Sequence, residues 1–156
     1  MDSVSKETRS RMMSSVRAKN TKMELEIRQR LFALGFRFRL HRQDLPGKPD
    51  IVFAKYSAVI FMHGCFWHNH ECKLAKLPET RKEWWEAKLR GNRSRDIAVI
   101  QKLKELGWRV MIIWECSFRR PGIVRSKALD KIAKRAAIFL RSRVSYFEIP
   151  KAAHNE

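Results

Sequence analysis

Residues 108–114, WRVMIIW, put apolar side chains at nearly every consecutive position. A strand with that pattern is hydrophobic on both faces. It is tolerated only where both faces are covered, as in the centre of a layered α/β domain. Such a strand needs neighbours in the sheet and helices above and below, and the rest of the chain supplies them. DIVFA (50–54) and AVIFM (58–62) read as paired strands with KYS between them as the turn, and FRFRL (36–40) alternates as a half-buried strand does. Thr21 and Glu24 have capping-box spacing, Met23, Ile27, Leu31 and Leu34 then recur on one face, and Gly35 suits the position just past the helix end. Further helical patterns lie at about 80–90 and 93–106, the second with Ile97, Ile100, Leu103 and Leu106 as its stripe and Gly107 as its stop. A last helix spans about 125–141. The order helix, three strands, helices, strand, helix predicts an α/β fold: a mixed sheet flanked by helices, with a strand meander and one crossover.

The 156 residues show no internal repeat and no Gly/Ser linker, so a single domain over 1–156 is expected. Residues 1–20 are basic and polar, with Met12 and Met13 as isolated large apolar groups, the pattern of a short helix or arm lying on a partner rather than on the core. The charge balance names the partner class. Thirty-four Lys and Arg against sixteen Asp and Glu leave a formal net charge of +18. A domain that basic repels itself unless a polyanion neutralises it, and nucleic acid does so through phosphate contacts and counterion release. No apolar run is long enough to span a bilayer, and the N-terminus carries no apolar secretory segment. The expected location is the cytoplasm, where cysteines serve as thiols or metal ligands rather than as disulfides.

The three cysteines are Cys65, Cys72 and Cys116. Two of them lie in the stretch MHGCFWHNHEC (62–72) with three histidines, and the third follows the buried strand, which can return it to the same corner. Three thiolates and one imidazole make a closed tetrahedral Cys3His set, and all the cysteines are then consumed. On spacing alone either His68 or His70 fits as the fourth ligand. A closed set leaves no position for water, so the ion would be structural, pinning an irregular loop. Catalysis must use something else. Asp50 opens a strand in KPD, the place where many Mg²⁺-dependent nucleases begin their site, but the following strand lacks the usual acid-x-lysine.

Taken in order, PGKPDIVF, VIFMHGCFWHNHEC, TRKEWW and RDIAVIQKLKELGWRVMIIWEC resemble the very-short-patch-repair DNA mismatch endonucleases, the Vsr family, over about residues 6–118. The resemblance implies a restriction-endonuclease-like core without the usual second acid and with a structural zinc loop. It implies a nick in one strand on the 5′ side of the thymine of a T·G mismatch left by deamination of 5-methylcytosine. It places the zinc ligands on Cys65, His70, Cys72 and Cys116, the catalytic aspartate on Asp50, and a second Mg²⁺ ligand on the backbone carbonyl of Met62, where the family often carries threonine. Glu24, His63 and His68 match its remaining active-site polar groups. Of these, His68 is the expected general base, because a neutral imidazole takes a proton from water near pH 7. The competing reading of Glu24 is closure of the helix cap alone, although the two roles are compatible, and that of His63 is a satisfied strand-end histidine.

Apolar rings pushed between base pairs unstack a duplex, and a mismatch opens at lower cost than a normal step. The resemblance assigns that wedge to Phe66, Trp67 and Trp85, with Met13 of the basic arm acting from the opposite groove. Trp84, about 100° around the helix from Trp85, is expected to pack ordinarily around the loop, and Trp108 and Trp114 share a parity that reads as core. The expected partner is double-stranded DNA with a T·G mismatch, bound by a monomer at the bacterial nucleoid. The family also cooperates with the MutL mismatch-repair protein. A non-catalytic, zinc-stabilised DNA-binding module is the competing reading, and an RNA- or ribosome-binding domain explains the charge but not these residues.

Overall fold

A computed structural model describes residues 5–14 and 21–150. In chain order the elements are α1 (Lys6–Ser14), α2 (Lys22–Ala33), β1 (Arg39–Leu40), β2 (Ile51–Phe53), β3 (Ala58–His63), α3 (Lys82–Glu105), β4 (Arg109–Trp114), α4 (Arg125–Arg141) and β5 (Tyr146–Ile149). The sheet order is β1-β2-β3-β4-β5; β1, β2 and β3 are antiparallel, and β4 and β5 continue in parallel. The apolar stretch 108–114 becomes β4, flanked by β3 and β5 and buried from Val110 to Trp114.

Parity divides the core. Ala58, Ile60 and Met62 of β3 join Met111 and Ile113 of β4 under α2 and α4. Val59 and Phe61 of β3 join Val110, Ile112 and Trp114 of β4 under α3 and the cysteine loop. On the first face Ile27 and Leu31 of α2 and Leu129, Ile132 and Ala136 of α4 are buried, each burial of a large side chain contributing roughly 1.5–3 kcal/mol. Arg125–Glu26 (2.6 Å) and Arg30–Asp130 (2.7 Å) tie the two helices at their margins.

The glycine stops work through one geometry. Gly35 (φ +94°) donates to Phe32 and Phe36 donates to Leu31, which satisfies the last carbonyls of α2; Gly107 (φ +87°) and Trp108 repeat the pattern on Lys104 and Leu103 of α3. This also shortens the first expected strand. Phe36 is consumed by the helix cap and buried, so FRFRL supplies only Arg39–Leu40 to the sheet.

Three expectations need correction. The helices at 80–90 and 93–106 are one 24-residue helix that runs through Gly91. A mid-helix glycine costs about 1 kcal/mol relative to alanine, and α3 recovers it by burying Leu89 and Leu103 on either side. A fifth strand, β5, follows α4, so the sheet has two crossovers rather than one. The expected stripes are narrower than drawn: Leu34, Ile97 and Leu106 are exposed. Residues 1–4 and 15–20 of the expected arm lie outside the described residues. Met13 falls within α1, and its side chain lies outside them too.

Candidate active site and metal-binding loop

β3 outruns its neighbour β2: Ile51 pairs with Ile60, so Met62 and His63 extend past the end of the β2 ladder. Asp50 fills that place. Its Oδ2 accepts the Met62 N–H at 2.7 Å, where a strand residue's carbonyl would otherwise sit. Burial pushes the Asp50 carboxyl up to about 7; the Met62 amide opposes that shift and the nearby Glu24 carboxylate adds to it. Glu24, in the first turn of α2, is 3 % exposed. Its backbone N–H reaches the Thr21 hydroxyl, as the capping box requires, while its Oε2 lies 2.9 Å from His41 Nε2. The cap and the buried acid are thus one structure, and the two readings of Glu24 are compatible.

At the end of β3, His63 lies on the α3 face. Its ring is stacked on His68 with centroids 3.7 Å apart and planes 1° from parallel. Burial holds His63 well below the ordinary imidazole range, with the His68 and His70 charges acting in the same direction, and its buried Nδ1 has no hydrogen-bond partner among the described residues. His68 Nδ1 sits 2.7 Å from Oδ2 of Asp96, on α3. Hydrogen bonding to a carboxylate fixes the imidazole tautomer and leaves Nε2 with its lone pair. Asp50, Met62, His63, His68 and Asp96 line one cleft of about 850 Å³, with Lys22, Lys48, Arg119 and Arg125 among its other walls.

The loop after β3 brings Cys65, His70, Cys72 and Cys116 together, with potential ligand atoms all within 4.8 Å of one another. Cys116 donates its N–H to Cys65 Sγ at 3.3 Å, and Cys116 Sγ lies 3.5 Å from His70 Nδ1. A tetrahedral ion with metal–sulfur and metal–nitrogen bonds of about 2.3 and 2.05 Å has a sulfur–nitrogen edge of about 3.6 Å. The set therefore fits a metal ion, and His68 is committed elsewhere. Burial raises the Cys65 and Cys116 thiols, so deprotonating them here requires a compensating positive charge.

The same loop carries the rings. Phe66, Trp67 and Trp85 are partly exposed and form a triangle with centroids 5.1–6.0 Å apart, all edge-on. Asn92 of α3 donates to the Trp67 carbonyl and Arg93 to that of Asn69, fastening loop to helix. Trp67 also lines the cleft that holds Asp50. Trp84 departs from expectation. It meets Trp85 at 4.8 Å, yet is 44 % exposed, with the Arg81 guanidinium and Lys88 ammonium 4.7 and 5.0 Å from its ring centre. Trp114 is core as expected, and Trp108 packs against that core at its edge.

Sequence reasoning missed Asp96 and His41. Asp96 stands 28 positions after His68, and its signal was weak: a polar stripe, Asn92, Arg93 and Asp96, on a helix otherwise read for its apolar face.

A mixed sheet flanked by helices, with a carboxylate on the edge of its antiparallel strands and a Cys/His loop able to hold a metal, defines a restriction-endonuclease-like α/β domain. The family profile described as DNA mismatch endonuclease Vsr matches residues 1–74. The DNA mismatch endonuclease Vsr of Escherichia coli (strain K12) is 46 % identical over 126 residues, 81 % of either chain. The type II nicking enzyme V.XorIIP of Xanthomonas oryzae pv. oryzae is 44 % identical over 126 residues, 81 % of this chain and 93 % of that protein. The type II nicking enzyme V.NmeAIP of Neisseria meningitidis is 39 % identical over 119 residues, 76 % of this chain and 85 % of that protein. The chain belongs to the Vsr family.

Proposed function

We propose that this chain is a Mg²⁺-dependent DNA mismatch endonuclease that nicks one strand on the 5′ side of the thymine of a T·G mismatch. The observation that carries the reading is that the Asp50 carboxylate, the imidazole of His68 and the ring of Trp67 line one cleft in a protein with a net charge of +18. A nuclease site beside a duplex-opening wedge needs that proximity.

Mg²⁺ would be held by Asp50 and the Met62 carbonyl, and when bound supplies charge to offset that building on the phosphorus centre and the leaving 3′ oxygen. A strand residue's N–H and C=O point toward the same edge, and the Met62 N–H points at Asp50, which supports the Met62 carbonyl as the second ligand. A methionine serves here as well as a threonine, because the ligand is main chain. His68 takes the proton from the attacking water at Nε2, Asp96 holding Nδ1. His63 orients His68 by stacking, and Glu24 orders water beside Asp50. Phe66, Trp67 and Trp85 enter the duplex at the mismatch, and Met13 of the basic arm contacts the other groove. Cys65, His70, Cys72 and Cys116 would hold a structural zinc ion, which would pin the ring-bearing loop. Chain 1–156 acts as one domain and as a monomer on DNA in the bacterial cytoplasm. Among the described residues no helix is long and apolar enough to cross a membrane.

The test is a strand-labelled duplex carrying one T·G pair, incubated with Mg²⁺ and either the native protein or Asp50→Ala. The native protein should give a single nick 5′ of the thymine and leave the T·A duplex intact, and Asp50→Ala should give none. Equal cleavage by both removes Asp50 from the mechanism. Tight mismatch binding with no product at any Mg²⁺ concentration establishes the non-catalytic module instead.

A further inference from the structure

His41 belongs to none of the motifs assigned above, yet it touches both Glu24 and Asp50. It follows β1 directly and stands opposite Asp50, extending the register in which Arg39 faces Val52 and Leu40 faces Ile51. Its backbone N–H donates to the Asp50 carbonyl at 3.3 Å. Its φ is +49°, the left-handed region that few non-glycine residues adopt and in which histidine is enriched. From that conformation its Nε2 reaches Glu24 Oε2 at 2.9 Å. The Glu24 side chain is 4 % exposed and that of His41 19 % exposed. Ligand-type atoms of Glu24, His41 and Asp50 lie within 4.8 Å of one another.

A carboxylate removed from water needs donors that hold it in place, because an unsatisfied buried charge is costly. Nε2 can donate to Glu24 or present a lone pair to a cation, but not both at once. Against an ionised Glu24, which only accepts, the 2.9 Å contact is a donation from Nε2. A group that supports acidic residues in this way acts on a metal site from outside the coordination sphere.

Resting on the proposed Mg²⁺ site, we infer that His41 is a positioning residue. Its side chain fixes the Glu24 carboxylate and its main chain fixes the start of β2, so that Glu24 and Asp50 face the cation together. The left-handed backbone makes this one device, since the same residue that closes the β1–β2 ladder turns its imidazole onto α2.

Three variants separate the parts. His41→Gln keeps a donor that can reach Glu24. His41→Asn tolerates the left-handed backbone but is too short to reach. His41→Ala removes the donor and strains the turn. Two quantities are measured for each: the Mg²⁺ concentration giving half-maximal nicking of a T·G duplex, and, without DNA, the Mg²⁺ concentration giving half the metal-induced rise in Tm. Both should increase about 10–100-fold in His41→Asn and His41→Ala and stay close to native in His41→Gln, with duplex affinity in EDTA unchanged throughout. Unchanged Mg²⁺ midpoints in His41→Asn overturn the inference, as does a His41→Gln protein impaired as badly as His41→Asn. So does nitrogen coupling to Mn²⁺ in the native protein that vanishes in His41→Gln, which would make His41 a direct ligand. A native protein that nicks no duplex refutes the proposed function alone, since the Tm titration still reports on His41.

Discussion

Asp50 carries the largest consequence of any single residue. Its carboxyl is raised from the ordinary value of 3.8 to about 7, chiefly by burial. Between about pH 4 and pH 7 the folded, metal-free protein therefore holds a proton that the unfolded chain has released, and stability falls as pH rises through that window. Asp50→Asn removes this dependence. Thermal denaturation in EDTA across pH 4–8 should show the native Tm falling relative to that of Asp50→Asn, with the variant the more stable above pH 7. A parallel pair of curves would show that Asp50 is not raised. If Asp50 holds Mg²⁺ as proposed, the ion should reverse the difference at neutral pH, because only the ionised native carboxylate would bind it. Asp96→Asn tests the other half of the site. It preserves the shape but no longer favours a proton on His68 Nδ1, and should lower kcat by roughly 10²–10⁴ with mismatch affinity retained. A sequence exposes such residues unequally. The cysteines were legible because they cluster, and Asp50, at a strand start without the usual acid-x-lysine, only through the family resemblance. Asp96 and His41 were not, because each acquires its role only through a partner 28 or 17 positions away.

Among the elements, legibility followed length and hydrophobic contrast. β3, β4 and α4 were predicted nearly to the residue because each is long and strongly patterned. β5 escaped because three half-buried residues and one buried residue show no clear period, and α3 was divided at Gly91 because local propensity argues for a break that tertiary packing overrides. One junction between elements is tight. Gly47 (φ +72°), in the loop that delivers Asp50, would place a Cβ 2.3 Å from Val99 Cγ1, one turn of α3 beyond Asp96. The loop bearing Asp50 is thus seated against the helix whose Asp96 holds His68. Gly47→Ala should cost roughly 1–3 kcal/mol from overpacking and backbone strain and should lower nicking more than its Tm change accounts for. Adding Val99→Ala should recover the part due to the clash and leave the part due to φ. Full additivity of the two losses in denaturant melts would show that the contact is not the cause.

At the scale of the whole molecule, the two sides of the sheet are stabilised differently. The α2–α4 face is an ordinary apolar core of leucine, isoleucine, phenylalanine and alanine. The α3 face ends in a loop whose interior is cysteine and histidine, and that loop connects to the catalytic side through rings: His70 stacks on Trp114 at 4.1 Å, Trp114 meets His63 edge-on at 5.1 Å, and His63 stacks on His68. A metal ion in the Cys3His set would therefore hold the wedge and, through that ring chain, the base. Without an ion, burial and mutual repulsion raise the Cys65 and Cys116 thiols, and the Arg120 charge near Cys116 opposes that only in part. Removing the proposed metal ion with a chelator, or introducing Cys72→Ser, should accordingly lower the Tm, alter the tryptophan near-ultraviolet circular dichroism, and abolish nicking. Non-specific DNA affinity should survive, because it comes from the +18 net charge distributed over the whole chain; log K should still fall steeply and linearly with log salt. The discriminating quantity is the ratio of T·G to T·A duplex affinity. If the loop positions the wedge, that ratio collapses toward one on chelation while T·A binding barely changes. If the ratio persists in the metal-free protein, mismatch selection resides elsewhere in the chain and the Cys3His set serves stability alone.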